Sequence, residues 1–467
     1  MENNMRKIIL GVVLIGLFIL CAGKPAQAGE IDVLVNRLVQ KGILTPADAQ
    51  IIIDETKLQV STDLAQAKSL SVPEWTQRIK WGGDIRFRTQ TDWGKPSGTT
   101  AAPTVIKHQR VRERVRGRFY MQGKINDFMY GGVRFAGGGT GARSTNDTLD
   151  DYFTKDAAYF DQYYIRMEAP SSIIRDYGQY FSDAKLWFGR FDNPYQYSEL
   201  VWDSDINLNG IALQYVSPDI KTGALPDLNL YSNIGFHWVD EEANLSADPL
   251  LFGYQAGIKT AAFGPLATKL NMALAIWDFT HLKDKAPIGS AGTNSRWWSG
   301  AGLDNPTNTD RFNYYLLDFL INIDNSKIFD MEFPHGVYAD FVHNMGCSEL
   351  NNGLLIGAYI GKKKLSAPGD WKIRADWRYI ERDAVTDFTP DSDFYGFGTY
   401  NTSTTSSNTN GMPAEGGTNG KGINIAGEYQ IFKNTVLSIE YYWMEPIKTW
   451  QNKTPWNELQ LDIVTKF

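Results

Sequence analysis

The sequence predicts an all-β transmembrane fold: an antiparallel barrel of about 16 strands, preceded by a short N-terminal helical extension. Three observations lead to this prediction. From residue 78 onward, apolar and polar side chains alternate with a period of two in about sixteen segments, mostly near the 9 to 11 residues that a tilted strand needs to cross a bilayer. The connections between these segments alternate between long and short. Past the N-terminus no run of 18 or more apolar residues occurs, which excludes membrane-spanning helices.

The first 28 residues have the pattern of a secretory signal peptide. Two basic residues precede an apolar run at 8–20, and residues 26–28 form a small-residue cleavage motif, so we expect the mature chain to begin near Gly29. Lipoprotein processing at Cys21 is an alternative, but Leu20 is larger than the residue that such sites prefer. Export through the inner membrane and a final position in the outer membrane of a Gram-negative cell are the expected localisation.

Residues 29–73 form the one convincingly helical region and are expected to be a periplasmic segment. Gly42 stands where a helix would end, and Thr45 and Pro46 have the chemistry of an N-cap and a first helical residue. A narrow apolar stripe packs against a partner helix or against its own neighbour, so a helical hairpin and an oligomerising coiled coil both remain open. The apolar residues with helical spacing are Ile31, Leu34, Val35, Leu38 and Val39.

Residues 78–467 are expected to form the barrel. Between 78 and 88, apolar residues such as Ile85 and Phe87 alternate with charged residues such as Arg86 and Arg88. One face is therefore apolar and the other charged. Further alternating segments are 110–121, 129–135, 163–167, 185–191, 210–216, 228–236, 252–258, 268–278, 314–323, 337–343, 354–360, 371–379, 423–431, 436–443 and 457–467.

The connections give an independent check, because barrels of the bacterial outer membrane have short turns at the periplasmic end and long loops at the other. Residues 399–420, rich in Thr, Ser, Asn and Gly, are a low-complexity loop inside one of the long connections. Residues 170–183 do not fit the alternation. The long connections are 91–106, 138–158, 192–206, 279–310 and 382–420, and the short ones 123–127, 263–265, 363–369 and 432–434.

Five arginines occupy every second position of one predicted strand: Arg110, Arg112, Arg114, Arg116 and Arg118. On a strand they would share a face, spaced roughly 7 Å apart. One Arg at the lipid midplane costs about 2 to 4 kcal/mol, so this face must be the lumen. Such a row either biases which ions enter the pore or is salt-bridged to lumen carboxylates and holds the wall rigid. The other predicted pore-lining arginines are Arg86, Arg88, Arg190, Arg374 and Arg378.

The last predicted strand carries a signal of its own. Residues 459, 461, 463 and 465 and the terminal Phe467 point one way, while polar residues point the other. A C-terminal aromatic on an alternating strand resembles the signal by which bacterial outer-membrane barrels are recognised for assembly. We therefore expect Phe467 to be an assembly signal, with the barrel assembly machinery and outer-membrane lipid as partners.

The sequence resembles the putative porin family of Gram-negative bacteria across most of the mature chain. The stretches that carry the resemblance are 34–45, 73–75, 81–88, 187–191, 200–205 and 209–215, and the Gly189-Arg190 strand ending also looks like that of general porins. The resemblance implies a transmembrane β-barrel that passes small hydrophilic solutes, without naming the solute. Porins are often trimers, so a homo-oligomer is expected and a trimer is one form.

Residues 192–206 are the third long loop, and in general porins the third loop folds inward to narrow the channel. An acidic loop opposite a basic wall would create a transverse field at the constriction. The alternative is an ordinary extracellular loop. The carboxylates of the candidate constriction loop are Asp192, Glu199, Asp203 and Asp205.

Charge, cysteine and histidine content exclude several function classes. The formal net charge is −7 and no polybasic tail is present, so no nucleic-acid partner is expected. Only Cys347 remains after signal cleavage, and the five histidines lack metal-ligand spacing, so neither a metal nor a cofactor is expected. No enzymatic activity is expected either, although an outer-membrane hydrolase that uses a serine and a histidine on the barrel wall stays open.

Three functions from two classes remain. The leading one is passive diffusion of small hydrophilic solutes and ions through a water-filled lumen with an arginine-lined wall. The second is an anion-selective or phosphate-selective porin, since stacked arginines suit oxyanions. The third is a plugged structural barrel that acts as a tether, an adhesin or the sheath of a partner.

Overall fold

The computed structural model describes residues 74–94, 108–138, 141–223, 226–241, 247–282, 294, 313–394, 417–447 and 455–467, together with residues 35, 38–42, 44–56 and 59. The predicted signal peptide lies outside the described residues. The chain divides into two compact units, Met1–Gln77 and Arg78–Phe467. None of the described helices combines the length and the apolar character that crossing a lipid bilayer requires.

The first unit is helical at residues 38–40 and 46–56 and in a short helix, α1 (Glu74–Gln77). Gly42 has a φ of 71°, a left-handed conformation that favours glycine, and its N–H donates to the carbonyl of Val39 at 2.9 Å. The hydroxyl oxygen of Thr45 accepts a hydrogen bond from the N–H of Asp48 at 3.2 Å, as an N-cap does. The predicted break at Gly42 and the new start at Thr45 are confirmed.

The second unit is a single antiparallel sheet that closes on itself, because β1 pairs with both β2 and β17. Sixteen strands form the closed barrel in the described ranges. The two-residue β4 pairs with Arg114 and Val115 of β2. The predicted barrel is confirmed. Its strands are β1 (Ile79–Gly94), β2 (His108–Lys124), β3 (Met129–Gly137), β4 (Asp147–Thr148), β5 (Ala158–Glu168), β6 (Asp183–Asp192), β7 (Asn207–Val216), β8 (Leu228–Trp238), β9 (Leu250–Thr260), β10 (Lys269–Thr280), β11 (Tyr314–Ile328), β12 (Met331–Asn344), β13 (Asn352–Gly361), β14 (Trp371–Ile380), β15 (Gly420–Phe432), β16 (Thr435–Pro446) and β17 (Trp456–Lys466).

The two ends of the barrel differ. At the turn end, connections such as residues 329–330 and 433–434 are tight turns, whereas the loop end carries longer segments such as 193–206 and 381–394. The connection at 170–183, which does not fit the alternation, contains a second helix, α2 (Ser171–Tyr177), at the turn end. Its length is therefore taken up by a helical turn and not by an additional strand.

Side chains on the outer face are apolar and exposed, as at Ile85 (51%) and Ile356 (51%). Those on the inner face are polar and buried, as at Gln90 and Gln460. Alternation with a period of two puts these sets on opposite faces of each strand. The lumen is therefore lined by groups that form hydrogen bonds.

At the loop end the lumen is filled by two segments. We call residues 193–206, between β6 and β7, the inner loop, and residues 381–394, after β14, the second inner loop. Leu200 and Val201 of the inner loop and Ala384 and Val385 of the second are almost completely buried. The main hydrophobic cluster of the described chain therefore lies inside the barrel, between these loops and the wall.

Candidate functional site in the barrel lumen

Seven arginines on β1 and β2 form one wall of the lumen, which we call the arginine wall. Antiparallel register places Arg86 opposite Arg116 and Arg88 opposite Arg114, on the face away from the exposed Phe87. Like charges directly opposite each other destabilise a sheet, so the wall requires counter-charges. Its members are Arg86, Arg88, Arg110, Arg112, Arg114, Arg116 and Arg118.

Two carboxylates neutralise the middle of the arginine wall. Asp84 on β1 accepts hydrogen bonds from Arg116 at 3.0 Å and from Arg118 at 2.8 Å. Asp205 of the inner loop lies 3.5 Å from Nη1 of Arg116 and 3.4 Å from Nη1 of Arg118. Hydrogen bonds between ionised groups are stronger than neutral ones. Asp205 therefore ties the end of the inner loop to the wall.

Arg88 connects three parts of the barrel. Its Nε and Nη2 donate to the two oxygens of Asp462 on β17 at 2.8 and 2.9 Å, a bidentate pair. Its Nη1 donates to Asp393 of the second inner loop at 3.2 Å. Arg110 is exposed at the loop end. Of the other wall members, Arg86 lies 3.9 Å from Asp462, Arg112 donates to Asp92 at 3.1 Å, and Arg114 donates to Gln90 at 3.0 Å.

Four strands away from β1 around the barrel, Arg378 of β14 is enclosed by three carboxylates. Its Nε, Nη1 and Nη2 donate to Asp376 at 2.7 Å, to Asp391 at 2.5 Å and to Glu199 at 2.9 Å. Only 1% of its side chain is exposed. Arg374, two residues before Asp376 on the same face, pairs with Asp376 at 3.0 Å and with Glu440. Arg378 thus joins strand β14 to both inner loops.

The inner loop crosses the lumen and is anchored along its length. The Tyr195 hydroxyl lies 3.0 Å from Nε2 of His237, and a Cβ on Gly253 would lie 2.4 Å from that hydroxyl, so the close approach requires glycine. The backbone of Gln196 exchanges two hydrogen bonds with the side-chain amide of Gln255, at 2.8 and 2.6 Å. These contacts hold the first half of the loop against β8 and β9.

Asp203 connects the two inner loops. Its N–H donates to the carbonyl of Thr389 at 2.6 Å, and its side chain accepts the N–H groups of Asp205 and Ser392, each at 2.9 Å. Burial raises the pKa of Asp203 to about 7, although those two N–H groups act to lower it, and the charges of Asp205 and Asp393 add to the rise. Asp203 therefore keeps its proton to a higher pH than an exposed aspartate does.

The remaining predicted loop carboxylates take different positions. Glu199 faces Arg378, as described above, and Asp205 faces the arginine wall. Asp192 stands at the end of β6, where its side chain is 72% exposed and lies 3.2 Å from Nη1 of Arg134. The structure therefore brings Glu199, Asp203 and Asp205 into the lumen and leaves Asp192 at the rim.

Arg190 does not line the lumen, contrary to the prediction. Register places it beside Tyr163 of β5, which is 54% exposed on the outer face. The inner position next to it is taken by Phe191, which is fully buried and packs beside Trp187 and His237. An aromatic cluster thus occupies the inner face here, and Arg190 instead donates to the carbonyl of Asp161 at 2.9 Å and to Asn209 at 3.2 Å.

The second inner loop is the part of the site that sequence reasoning missed. It was included in one long connection, yet Asp383, Thr386 and Phe394 are completely buried. The signal that points to it is the run at 391–393, where two carboxylates stand next to a low-complexity segment without a cation of their own. Those carboxylates, Asp391 and Asp393, are the partners of Arg378 and Arg88.

A cavity of about 410 Å³, lined by both apolar and charged side chains, lies on the turn side of the inner loop, between the loop and the region from β11 to β15. Every basic residue that lines it has a carboxylate partner. Lys363 pairs with Asp324 at 2.8 Å and Lys372 with Glu428 at 2.5 Å, in addition to the pairs of Arg374 and Arg378. The cavity therefore offers hydrogen-bond donors and acceptors with little net charge.

Phe467 lies at the seam of the barrel. Its N–H donates to the carbonyl of Gly83, and the N–H of Gly83 donates to the carbonyl of Phe467, both at 3.1 Å. Its side chain is 56% exposed. The residue thus extends the pairing of β17 with β1 at the turn end.

A closed barrel with an apolar outer face, a charged lumen and an inserted loop defines a channel protein of the outer membrane. A family model described as a putative porin matches residues 95–296 and 319–467. The chain belongs to this putative porin family. No curated protein matches the sequence.

Three solved structures illustrate the likeness. The outer membrane channel DcaP of Acinetobacter baumannii is 10% identical, with a TM-score of 0.39 over 83% of this chain and 97% of that chain. OprB of Pseudomonas putida at high pH is 8% identical, with a TM-score of 0.47 over 84% and 95%. OmpF of Salmonella typhi in complex with daunomycin is 9% identical, with a TM-score of 0.43 over 83% and 97%.

Proposed function

We propose that the protein is a porin that allows passive diffusion of small hydrophilic solutes and ions through its lumen, past the inner loop and along the arginine wall. The observation that carries the proposal is the polar lumen itself. Hydrogen-bonding side chains face inward along the strands, and the inner loop leaves a cavity of about 410 Å³ on its turn side, where charged side chains stand among apolar ones. A lining of this kind replaces the hydration of a passing solute without binding it tightly.

The pairing of charges supports weak selectivity and does not favour the anion-selective or phosphate-selective alternative. At least five of the seven wall arginines have a carboxylate of the described chain within 4.0 Å: Arg86, Arg88, Arg112, Arg116 and Arg118. A desolvated oxyanion would have to compete with these carboxylates for each guanidinium. The wall therefore acts mainly as a rigid, nearly neutral lining.

Ion selectivity of the purified protein in planar bilayers tests this proposal. The variant Asp205→Asn removes the carboxylate shared by Arg116 and Arg118 and leaves the wall more positive. One unit charge about 4 Å from an ion changes its energy by about 1 kcal/mol in water, so anion permeability should rise and cation permeability should fall, each by up to about fivefold.

The matched control is Arg175→Gln, an arginine of α2 whose side chain is 77% exposed. It should leave the reversal potential in a salt gradient unchanged. Open channels in the wild type with equal selectivity in Asp205→Asn would contradict the role of the wall. Complete absence of conductance would contradict diffusion itself.

A plugged structural barrel is the second candidate, and one observation favours it. The two inner loops pack against β10 to β17 in a continuous apolar cluster that includes Trp202, Trp277, Phe394 and Met444. Such packing suits a permanent filling of that side of the lumen. A wild type without conductance that still forms a folded barrel in lipid would support this candidate.

Processing and assembly complete the proposal. Residues 1–28 are a cleaved signal peptide, residues 29–73 a periplasmic helical segment, and residues 78–467 the barrel. Phe467 is read by the barrel assembly machinery, outer-membrane lipid surrounds the barrel, and copies form a homo-oligomer. Sequencing the N-terminus of the exported protein should give Gly29, and Phe467→Ala should reduce the amount of folded protein in the outer membrane.

A further inference from the structure

Two aspartates lie together in the inner wall beneath the inner loop. Asp318 of β11 is 2% exposed and Asp340 of β12 is 1% exposed. Register places the two aspartates diagonally across the β11–β12 pair, with Asp318 aligned with Val342 and Asp340 with Leu320, so their carboxyl groups approach each other. Oδ2 of Asp318 accepts a hydrogen bond from Nε1 of Trp277 at 2.9 Å, and Oδ2 of Asp340 accepts one from the Ser198 hydroxyl at 2.5 Å. The other oxygen of each faces no donor from the rest of the described protein.

Within the described part of the chain, the elements packed against this pair bring no cation to it. Register aligns Asp318 with Val342, and Asp340 with Leu320 and Leu355. The nearest described guanidinium in the same row, Arg378, lies one strand beyond Leu355. The titratable groups described on the surrounding elements are Tyr195, which packs against Trp277, Tyr338 on β12, Asp376 and Arg378 on β14, and Glu199 on the inner loop. Arg378 donates to both Asp376 and Glu199.

Two carboxylates in contact inside a protein cannot both be ionised, because burial disfavours each charge and the like charges repel. One aspartate of the pair must therefore carry a proton and donate it to the other. The Ser198 hydroxyl then joins the inner loop to this protonated pair. The hydrogen-bonded chain runs from Trp277 through Asp318 and Asp340 to Ser198.

We propose that the proton shared by Asp318 and Asp340 is a latch, which fastens the Ser198 segment of the inner loop to the barrel wall and opens when the proton is lost at alkaline pH. Hydroxide takes the proton and becomes water, leaving two carboxylates that repel each other and draw in solvent. Gln255 holds Gln196 on one side, and Arg378 holds Glu199 on the other. The opening is therefore local, at residues 197 and 198.

Effects of the latch on conductance rest on the proposed function, but the latch itself is tested without any conductance measurement. The variants Asp318→Asn and Asp340→Asn each replace the shared proton by an amide that donates to the remaining carboxylate. The matched control is Asp176→Asn, whose side chain is 61% exposed on α2. All variants are prepared as the full chain, folded in detergent.

Infrared difference spectra at neutral pH should show one protonated carboxyl fewer in each latch variant than in the wild type and in Asp176→Asn. Amide exchange of residues 197–200, corrected for its intrinsic pH dependence, should rise at alkaline pH in the wild type and stay flat in both latch variants. An unchanged carboxyl band in both variants, or the same pH profile of exchange in all proteins, would overturn the proposal. If the wild type carries no current at any pH, the diffusion function fails, while these two measurements still decide the latch.

Discussion

Arg378 is the side chain on which the barrel wall and both inner loops converge, so its replacement by methionine measures what holds the lumen filling in place. The guanidinium is 1% exposed and donates to three carboxylates at 2.5 to 2.9 Å. Arg378→Met keeps most of the volume but leaves Asp376, Asp391 and Glu199 without their common cation. Removing one partner of a buried ion pair costs about 3 to 5 kcal/mol. We expect the free energy of unfolding, measured by urea titration of protein folded in lipid vesicles, to fall by that amount.

Two further variants make the result specific. Lys221→Met removes an exposed pair with Asp227, in which the lysine side chain is 73% exposed, and should change stability by no more than about 1 kcal/mol. The triple variant Arg378→Met, Asp391→Asn and Glu199→Gln removes the excess negative charge and should recover more than half of the loss. If Arg378→Met is as stable as Lys221→Met, the three carboxylates do not depend on Arg378 and the reasoning is refuted.

Two other predictions follow from the inner loop. Because the folded pKa of Asp203 is raised from 3.8 to about 7, its stabilising contribution is full below 3.8 and is lost as the pH rises through about 7. Asp203→Asn should therefore reduce the difference in urea midpoint between acidic and mildly alkaline buffer, and an unchanged difference would assign it to other groups. Gly253→Ala places a methyl group 2.4 Å from the Tyr195 hydroxyl and should destabilise the barrel by about 1 to 3 kcal/mol. Gly117→Ala, with no atom near its Cβ, is the control for the same unfolding measurement, and equal stabilities would contradict a tight Tyr195 site.

The barrel was predictable from sequence because its main signal is local. Alternation at Ile85, Arg86, Phe87 and Arg88 assigns the faces of β1 without any knowledge of the neighbouring strands, and the cost of an arginine in lipid then fixes which face is the lumen. The same argument assigns β2 and β14. The period of two and the cost of a charge in lipid are together enough to predict which face of each wall strand is the lumen.

The lumen filling was not predictable in the same way, because it depends on which loop meets which wall. Asp391 and Asp393 belong to a connection whose sequence has no period, and their partners Arg378 and Arg88 are distant in the chain. The prediction for Arg190 fails for a related reason, since the rule that polar residues face the lumen does not hold where Phe191 packs beside Trp187 and His237 on the inner face. Ion pairs between loops and strands can be located only in the folded structure, because their partners are far apart in the sequence.

The closure of the sheet between β1 and β17 has a consequence for the order in which the barrel can be made. During synthesis β1 emerges first, and its partner on one side is the last strand to appear. Until then the growing sheet has two open edges, each with a row of unpaired N–H and C=O groups that can pair with a strand of another chain. Arg88 is also without Asp462 during this time, because the two meet only across the seam. Protection of these edges in the periplasm is therefore a requirement of the topology itself, and a seam that is slow to close is the step at which this chain is most exposed to aggregation.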